Sequence, residues 1–206
     1  MTNVAVIYYS STGNVHKMAT AAAASAEKAG ADEVRLLKVA ELAPASVVAG
    51  NDAWAAHAEE TKDIPEATLA DLEWADVVLF GTPTRYGLPA AQLKQFIDTT
   101  GGLWFQGKLV NKVVSSFVST STAHGGQEST VLALNNTFYH WGAIIVPPGF
   151  ADAVQFDPAN GNPYGASSVS GNNPANVAEE NLASVEFQAR RAVEIAAALK
   201  RGLRSA

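Results

Sequence analysis

Residues 4–14 read Val-Ala-Val-Ile-Tyr-Tyr-Ser-Ser-Thr-Gly-Asn, an apolar run that ends in hydroxyl side chains. The six apolar residues Val4–Tyr9 predict a short strand buried on both faces, as parallel strands are. After the polar loop, apolar residues recur at helical spacing from Val15 to Ala29, and Gly30 stands where a helix C-cap is expected. A strand, a polar loop and a helix in this order form the first half of a βαβ unit.

The same alternation continues along the chain. Further strands are predicted at Val34–Val39, Ala75–Gly81, Val113–Val118 and Ala143–Val146, and further helices at Ala90–Thr100, Glu128–Trp141 and Glu179–Leu203. This pattern predicts a three-layer α/β fold, in which a five-stranded parallel twisted sheet carries helices on both faces. Rossmann-type and flavodoxin-type sheets both fit, and both bind ligands at the carboxyl ends of their strands.

Two segments interrupt the alternation. Pro44–Glu73 has no firm period and is predicted to be a connection with short helical turns. Phe150–Ala178 is rich in Gly, Asn, Pro and Ser, and loops of that length in a compact domain are usually functional or disordered. A chain of 206 residues suits one domain. We therefore expect residues 1–206 to form a single domain with a long loop insertion near 148–178.

The composition excludes several classes of function. The chain has no cysteine, which excludes disulfides, thiolate zinc sites, iron–sulfur clusters and thiol nucleophiles, so redox chemistry would need a bound cofactor. The formal net charge is −6 and no basic stripe is visible, which argues against nucleic-acid binding. Neither a signal-peptide pattern nor an apolar run of the ~20 residues that a membrane span needs is present. We expect a cytoplasmic protein without a metal site.

The loop after the first strand is a candidate phosphate site. Ser10–Asn14 brings hydroxyl groups to the start of a helix, where free N–H groups favour a phosphate dianion. The sequence lacks both the P-loop pattern of nucleoside-triphosphate sites and the G-x-G-x-x-G pattern of dinucleotide sites. An ordinary helix N-cap is the alternative interpretation, since Ser and Thr are common there.

Two more polar loops follow the third and fourth predicted strands. Gly81–Gly87 supplies hydroxyl groups, a guanidinium and an aromatic face, as a planar polar heterocycle requires. Ser119–Glu128 supplies hydroxyl and amide groups beside small residues. The alternatives are an ordinary turn in which Arg85 pairs with a surface carboxylate, and a flexible loop that caps the next helix. Three donor-rich loops at neighbouring strand ends together favour a ligand site.

Several of these motifs resemble one family. Tyr8-Tyr9-Ser10, Phe80–Gly87, Thr100–Trp104, Gly125–Glu128 and Asn162–Gly165 resemble, in order over almost the whole chain, the WrbA-type NAD(P)H:quinone oxidoreductases. The resemblance implies a flavodoxin-like fold, FMN as the bound cofactor, NAD(P)H as co-substrate and a homotetramer. It also implies two-electron reduction of quinones to hydroquinones, for which we expect a ping-pong mechanism.

The resemblance also implies the residues of the site. The predicted cofactor-binding residues are Ser10, Ser11, Thr12, Gly13, Asn14 and Val15 for the phosphate, Thr82, Pro83, Thr84, Arg85, Tyr86 and Gly87 for the flavin ring, and Ser119, Thr120, Ser121, Thr122, Ala123, His124 and Gly125 for the third side. His140 matches a family histidine that reaches the flavin from a neighbouring helix or subunit. Trp104 matches the tryptophan that walls the substrate pocket.

His140 and Tyr86 are the predicted catalytic residues, as donors of a proton or hydrogen bond to the quinone oxygen. A structural role is the alternative for His140, and a core or interface position is the alternative for Trp104. Two positions depart from the family: Thr12 stands where many members carry an aromatic residue, and His124 lies in a loop that is elsewhere all glycine.

Two other functions fit the fold. One is a flavodoxin-type electron-carrier module without its own substrate turnover, although the charge excess is mild and is not concentrated beside the three loops. The other is a regulatory or scaffold protein, which the lack of a basic surface disfavours.

Overall fold

The structure, a computed structural model, describes residues 1–204. Its strands are β1 (Asn3–Tyr8), β2 (Glu33–Lys38), β3 (Val77–Arg85), β4 (Leu88–Pro89), β5 (Val113–Thr120), β6 (Ile144–Ile145) and β7 (Ser167–Val169). Its helices are α1 (Asn14–Lys28), α2 (Ala45–Ala49), α3 (Asp52–Glu60), α4 (Leu69–Trp74), α5 (Ala91–Asp98), α6 (Gly101–Phe105), α7 (Gln127–Trp141) and α8 (Glu179–Arg204).

The central sheet has the strand order β2-β1-β3-β5-β6, and every pair along this path is parallel. This is the order of flavodoxin-type sheets, so the structure decides between the two architectures that the sequence left open. The expected five parallel strands are confirmed. Two short strands are added: β4 pairs antiparallel with β3, and β7 pairs parallel with β5.

Strand β1 shows why the sheet lies in the middle of the molecule. Val4, Val6 and Tyr8 belong to an apolar cluster with α1 and α8, whereas Ala5 and Ile7 belong to a second cluster on the opposite face. Alternate side chains of a strand point to opposite faces, and here both faces are covered by helices. Because both faces are buried, every residue of this strand can be apolar, which explains the unbroken apolar run in the sequence.

The two segments outside the alternation are more ordered than a loop. Residues 44–73 hold three short helices, and α4 begins with a capping box in which the Thr68 hydroxyl accepts from the Asp71 amide while the Asp71 carboxylate accepts from the Thr68 amide. The segment near 148–178 contains a 3₁₀ turn, Ala153–Phe156, and strand β7. It is thus a part of the sheet as well as an insertion.

The fifth position of the sheet is shared by two segments. β6 pairs with the first residues of β5, from Val113↔Ile144, and β7 pairs with its last residues, from Val118↔Ser167. The carboxyl ends of β1, β3, β5 and β7 therefore lie side by side at one edge of the molecule. No helix within residues 1–204 is long and apolar enough to cross a membrane.

Candidate cofactor site

The loop after β1 leads into a helix that lacks a side-chain cap. Gly13 is the N-cap of α1 and has φ 95°, a left-handed conformation that favours glycine. Its amide donates to the Ser10 hydroxyl at 3.1 Å, which folds the loop back on itself. Because no side chain caps the helix, the simple N-cap interpretation of the Ser and Thr residues is wrong, and the first N–H groups of α1 have no side-chain acceptor, which leaves them available to an anion.

The loop after β3 divides its side chains between the core and the surface. The Thr82 side chain is buried, and its hydroxyl accepts from the Ala90 amide and donates to the Pro83 carbonyl, so it holds the turn together. The Thr84 hydroxyl lies 2.7 Å from that of Thr130. The exposed Arg85 guanidinium donates to the Thr84 carbonyl and reaches the Ser11 hydroxyl at 3.5 Å, which links the second loop to the first.

The loop after β5 begins in the sheet and ends in a turn. Ser119 and Thr120 are the last, buried residues of β5, and Pro83 is the register partner of Ser119. Helix α7 starts after Gly126, which has φ 96° and provides no side-chain cap. The alternative interpretation of this loop as the source of a helix cap is therefore wrong.

These loops enclose a cavity of about 220 Å³, which we call the cofactor cavity. It is lined by Ser10, Ser11, Thr12, Asn14, Val15, Pro83, Thr84, Arg85, Ser119, Thr120, Ser121, Ser170 and Asn172. Within the described part of the chain, Arg85 is the only charged residue of this lining, and most of the other side chains carry a hydroxyl group. Such a lining attracts an anionic, hydrogen-bonding ligand.

Some predicted site residues lie outside this lining. Gly13 and Thr82 are buried beneath it, and Gly87, Thr122, Ala123, His124 and Gly125 belong to the turns beyond it. Tyr86 has φ 54° and is fully exposed to solvent. A left-handed tyrosine is strained, and residues held in such conformations cluster at ligand sites.

His140 and Trp104 lie together in a groove between α5 and α7. The Trp104 indole N–H donates to the His140 carbonyl at 2.8 Å, and both residues line a groove of about 540 Å³ with Lys94 and Thr137. A second groove of about 530 Å³ is lined by Lys94 and Thr137 and also by Arg85. Arg85 lines both the cofactor cavity and the second groove, so the cavity neighbours the grooves that hold the predicted substrate residues.

Ser170 and Asn172 were missed by the sequence analysis. They follow β7 and enter the cofactor cavity as a fourth loop. The available signal was the length and the Gly-Asn-Asn-Pro composition of the segment, which marked it as functional or disordered but did not indicate its partner. Only the pairing of β7 with β5 places it beside the other loops.

A cluster of rings lies behind the first loop. The Tyr8 hydroxyl is 2.7 Å from His16 Nδ1, the His16 and His57 rings are 5.3 Å apart, and His57 Nδ1 is 3.3 Å from the Glu60 carboxylate. Burial lowers the pKa of His16 and of His57, and the proximity of His57 lowers that of His16 further. Burial also raises the pKa of Tyr8. Both imidazoles are therefore held neutral near pH 7 behind the loop.

The residues of the cavity fit FMN. The Asn14 Oδ1 atom is buried and has no hydrogen-bond partner among the described residues, and such an atom is costly unless a donor satisfies it. FMN offers hydroxyl donors on its ribityl chain, while its phosphate needs the amides, hydroxyls and guanidinium that the cavity supplies. The donor set therefore matches both ends of the cofactor's polar chain.

Comparison with known proteins agrees with the geometry. The family profile described as "NADPH-dependent FMN reductase" matches residues 2–158. A protein of Deinococcus radiodurans named NAD(P)H dehydrogenase (quinone) is 50% identical over 196 residues, which cover 95% of this chain and 96% of the relative. A Geotalea uraniireducens protein of the same name is 40% identical and covers 96% of this chain and 99% of its own length. The chain belongs to the NAD(P)H dehydrogenase (quinone) family.

This membership confirms the resemblance to WrbA-type proteins that the sequence motifs indicated. Solved structures give the same fold. A WrbA-like flavodoxin of Agrobacterium tumefaciens aligns with a TM-score of 0.66 at 23% identity over 95% of this chain and 98% of that one. Flavodoxin 2 of Bacillus cereus aligns with a TM-score of 0.61 at 18% identity over 94% of this chain and 99% of that one. At these identities the likeness concerns the fold alone.

Proposed function

We propose that this chain is an FMN-dependent oxidoreductase that transfers two electrons from NAD(P)H to quinones, giving hydroquinones, by a ping-pong mechanism. The observation that carries the proposal is the cofactor cavity, whose lining offers hydroxyl, amide and guanidinium donors at the carboxyl ends of β1, β3 and β5. The name shared by the relatives supports the donor and the acceptor. We propose a cytoplasmic location, where NAD(P)H is supplied.

FMN, when bound, supplies the reversible two-electron chemistry that no side chain of a cysteine-free protein can provide. The start of α1, with Ser10–Val15, would hold the phosphate by amide and hydroxyl donors. Thr84 and Arg85 would hold the ring from one side and Ser119–Ser121 from the other. These residues bind and orient the cofactor, and none of them has to act as an acid or base in the oxidation of NAD(P)H.

The placement of the cavity beside the grooves supports the proposed ping-pong order. Arg85 lines both the cofactor cavity and a groove between α5 and α7, and this groove would give donor and acceptor one approach in common. NAD(P)H would leave as NAD(P)⁺ before the quinone enters. The balance is NAD(P)H, a quinone and one proton giving NAD(P)⁺ and a hydroquinone.

His140 and Tyr86 would assist the quinone half of the reaction, and Trp104 would form a wall of its pocket. A quinone oxygen that gains electrons needs a proton or a hydrogen-bond donor, and a positioned side chain typically contributes 10²–10⁴-fold to such a step. We expect His140→Ala to slow quinone reduction at unchanged FMN content. Tyr86→Phe, which removes the hydroxyl donor, should do the same if Tyr86 shares this role. Full quinone turnover by FMN-loaded His140→Ala would exclude that role for His140.

An absorption experiment tests the reaction as a whole. Purified protein with added FMN is titrated anaerobically with NADH or NADPH and then with benzoquinone. The proposal expects the yellow colour to bleach with the nucleotide and to return with the quinone. FMN binding without bleaching would favour the electron-carrier alternative, and no FMN binding would overturn both.

Steady-state kinetics test the order of events. Double-reciprocal plots at several fixed quinone concentrations should be parallel if the nucleotide leaves first. Lines that intersect to the left of the ordinate would show that donor and acceptor are bound together, which would contradict the ping-pong mechanism while leaving the reaction unchanged.

A further inference from the structure

We infer that residues 170–177, which we call the closing segment, form a fourth side of the FMN site and set how long FMN stays bound. This inference rests on the proposed FMN binding. The closing segment lies between β7 and α8, and neither the three-loop motif pattern nor the family profile, which ends at residue 158, includes it.

One side of the closing segment is fastened to the first loop. The Ala175 amide donates to the Thr12 carbonyl at 3.0 Å, and the Asn14 side-chain amide donates to the Asn173 carbonyl at 3.2 Å. The Lys17 ammonium donates to the Val177 carbonyl at 3.3 Å. These bonds join positions that are far apart in the chain, 160 residues for Lys17 and Val177, and they fix the loop that the phosphate would occupy.

The other side is fastened to the end of β5. The Ser170 amide and hydroxyl both donate to the Thr120 carbonyl, at 2.8 and 3.1 Å, and the Gly171 amide donates to the Ser121 carbonyl at 3.1 Å. The closing segment therefore spans from the third loop of the site to the first. It holds both at a set separation, which is the preorganisation that reduces the entropic cost of binding.

The contact with the first loop is also steric. A Cβ atom placed on Gly13 would lie 3.2 Å from the Ala175 side chain, so the segment packs directly on the glycine of the phosphate loop. Ala175 has φ 48°, a left-handed conformation in which the Cβ atom of an alanine is strained. Strain of this kind persists where surrounding contacts determine it, and it is concentrated at ligand sites.

Asn172 gives the segment a group for the ligand itself. It lines the cofactor cavity, and its side-chain amide has no hydrogen-bond partner within residues 1–204. Its φ of 64° lies in the left-handed region that asparagine tolerates. The amide, free of internal bonds, can donate to a phosphate or ribityl oxygen and accept from a hydroxyl.

The test measures FMN binding and release rather than turnover. Asn172→Gly removes the amide while keeping a residue that adopts the same backbone conformation without cost. Asn111→Gly is the matched control, because Asn111 also has φ 64° but lies before β5, at the opposite end of the strand from the cavity. Asn176→Ala loosens the segment from outside the cavity, since the Asn176 amide donates to the Ser170 carbonyl and Asn176 does not line the site.

FMN fluorescence reports both the dissociation constant and, after dilution into excess apoflavodoxin, the release rate. We expect Asn172→Gly and Asn176→Ala to release FMN about fivefold faster or more, the effect of about one hydrogen bond, and Asn111→Gly to match the wild type. Wild-type release rates in Asn172→Gly would overturn the inference, whatever Asn176→Ala shows. Failure of the wild-type protein to bind FMN would instead overturn the proposed function, and thermal unfolding of each apoprotein identifies a variant that does not fold.

Discussion

At the scale of single residues, the charge of the cofactor cavity depends on Arg85. It is the one charged residue among those described in the lining, and its guanidinium already reaches the first loop. Hydrogen bonds that involve a charged group contribute about 1.5–3 kcal/mol. We expect Arg85→Gln to weaken FMN binding by roughly tenfold or more. The affinity of Arg85→Lys should lie between those of the wild type and Arg85→Gln, because lysine keeps the charge but lacks the planar guanidinium.

A fluorescence titration with FMN at low and high salt measures this effect. The ratio of the FMN dissociation constants of Arg85→Gln and the wild type should become smaller in high salt, because salt screens exposed charges. Equal dissociation constants for the two proteins at low salt would contradict the assignment of Arg85 to the site.

The buried His57 and the partly buried His16 make stability depend on pH. His16 and His57 have a pKa below the ordinary value of 6.5, which the unfolded chain regains, so below about pH 6.5 the unfolded state binds more protons than the folded state. Stability should therefore fall as the pH is lowered from about 6.5 towards the folded pKa values. We expect the wild-type Tm to fall as the pH is lowered over this range. In His57→Gln the slope of Tm against pH should be shallower.

Thermal unfolding of the apoprotein between pH 7.5 and 5 tests this, with His124→Gln as a control at an exposed position. If the slope of Tm against pH is the same in the wild type, His57→Gln and His124→Gln, His16 and His57 do not cause the loss of stability at acid pH. The comparison uses slopes because the substitution also removes the contact with Glu60.

Residue types in the three loops predicted which polar groups gather, but not which way each one points. Ser11 and Thr84 line the cavity as expected, whereas the equally polar Thr82 turns inward to bond the Ala90 amide. A hydroxyl serves either purpose, so its direction depends on neighbours that come from distant parts of the chain. Ser170 and Asn172 could not be assigned at all for the same reason.

At the scale of elements, the packing of β3 depends on one glycine. A Cβ atom on Gly81 would lie 2.4 Å from the Phe117 ring of β5 and 2.9 Å from the Val15 side chain of α1. Overpacking of this kind costs typically 1–3 kcal/mol. We expect Gly81→Ala to lower the free energy of unfolding by about that amount, because Phe117 is fully buried and has little room to move.

Gly101→Ala is the matched control, since a Cβ at Gly101 would meet nothing within 4 Å and its φ lies outside the left-handed region. Urea unfolding of the two apoproteins measures the difference. If Gly81→Ala loses no more free energy of unfolding than Gly101→Ala, the packing of β3 on β5 and α1 is looser than the 2.4 Å and 2.9 Å separations imply.

Elements with a strong local pattern were predicted, and those defined by a distant partner were not. The apolar runs of β1 and β3 predict strands, and the helical period of α7 predicts a helix, without reference to any other part of the chain. Strand β7, with the sequence Ser-Ser-Val, has no apolar run, and it is a strand because β5 extends beyond β6 and leaves its last residues to be paired. Pairing across such a distance in sequence leaves no local signal.

At the scale of the whole molecule, we propose that residues 1–204 act as one domain, since both apolar clusters pack on the same sheet. We also propose a homotetramer. Large side chains are exposed beside the grooves between α5 and α7, with Leu88 56%, Trp104 51% and Phe105 85% exposed. Large exposed apolar side chains that gather on one face mark interaction sites, and we propose that these three do so.

Sedimentation velocity at micromolar concentration should show a tetramer, and Leu88→Glu should shift it towards smaller species by burying a charge in the contact. A wild-type protein that sediments only as a monomer would contradict the proposal. Unchanged sedimentation of Leu88→Glu would show that the subunits meet elsewhere.

The position of the closing segment has a consequence for synthesis. Domains begin to fold from the amino terminus while the ribosome is still working, and the first three loops of the site all lie before residue 129, well ahead of residues 170–177. A nascent chain can thus present a phosphate loop that nothing yet holds in place, and FMN that enters early would leave again. On the proposed role of the closing segment, the chain would retain FMN only after residues 170–177 have been synthesised.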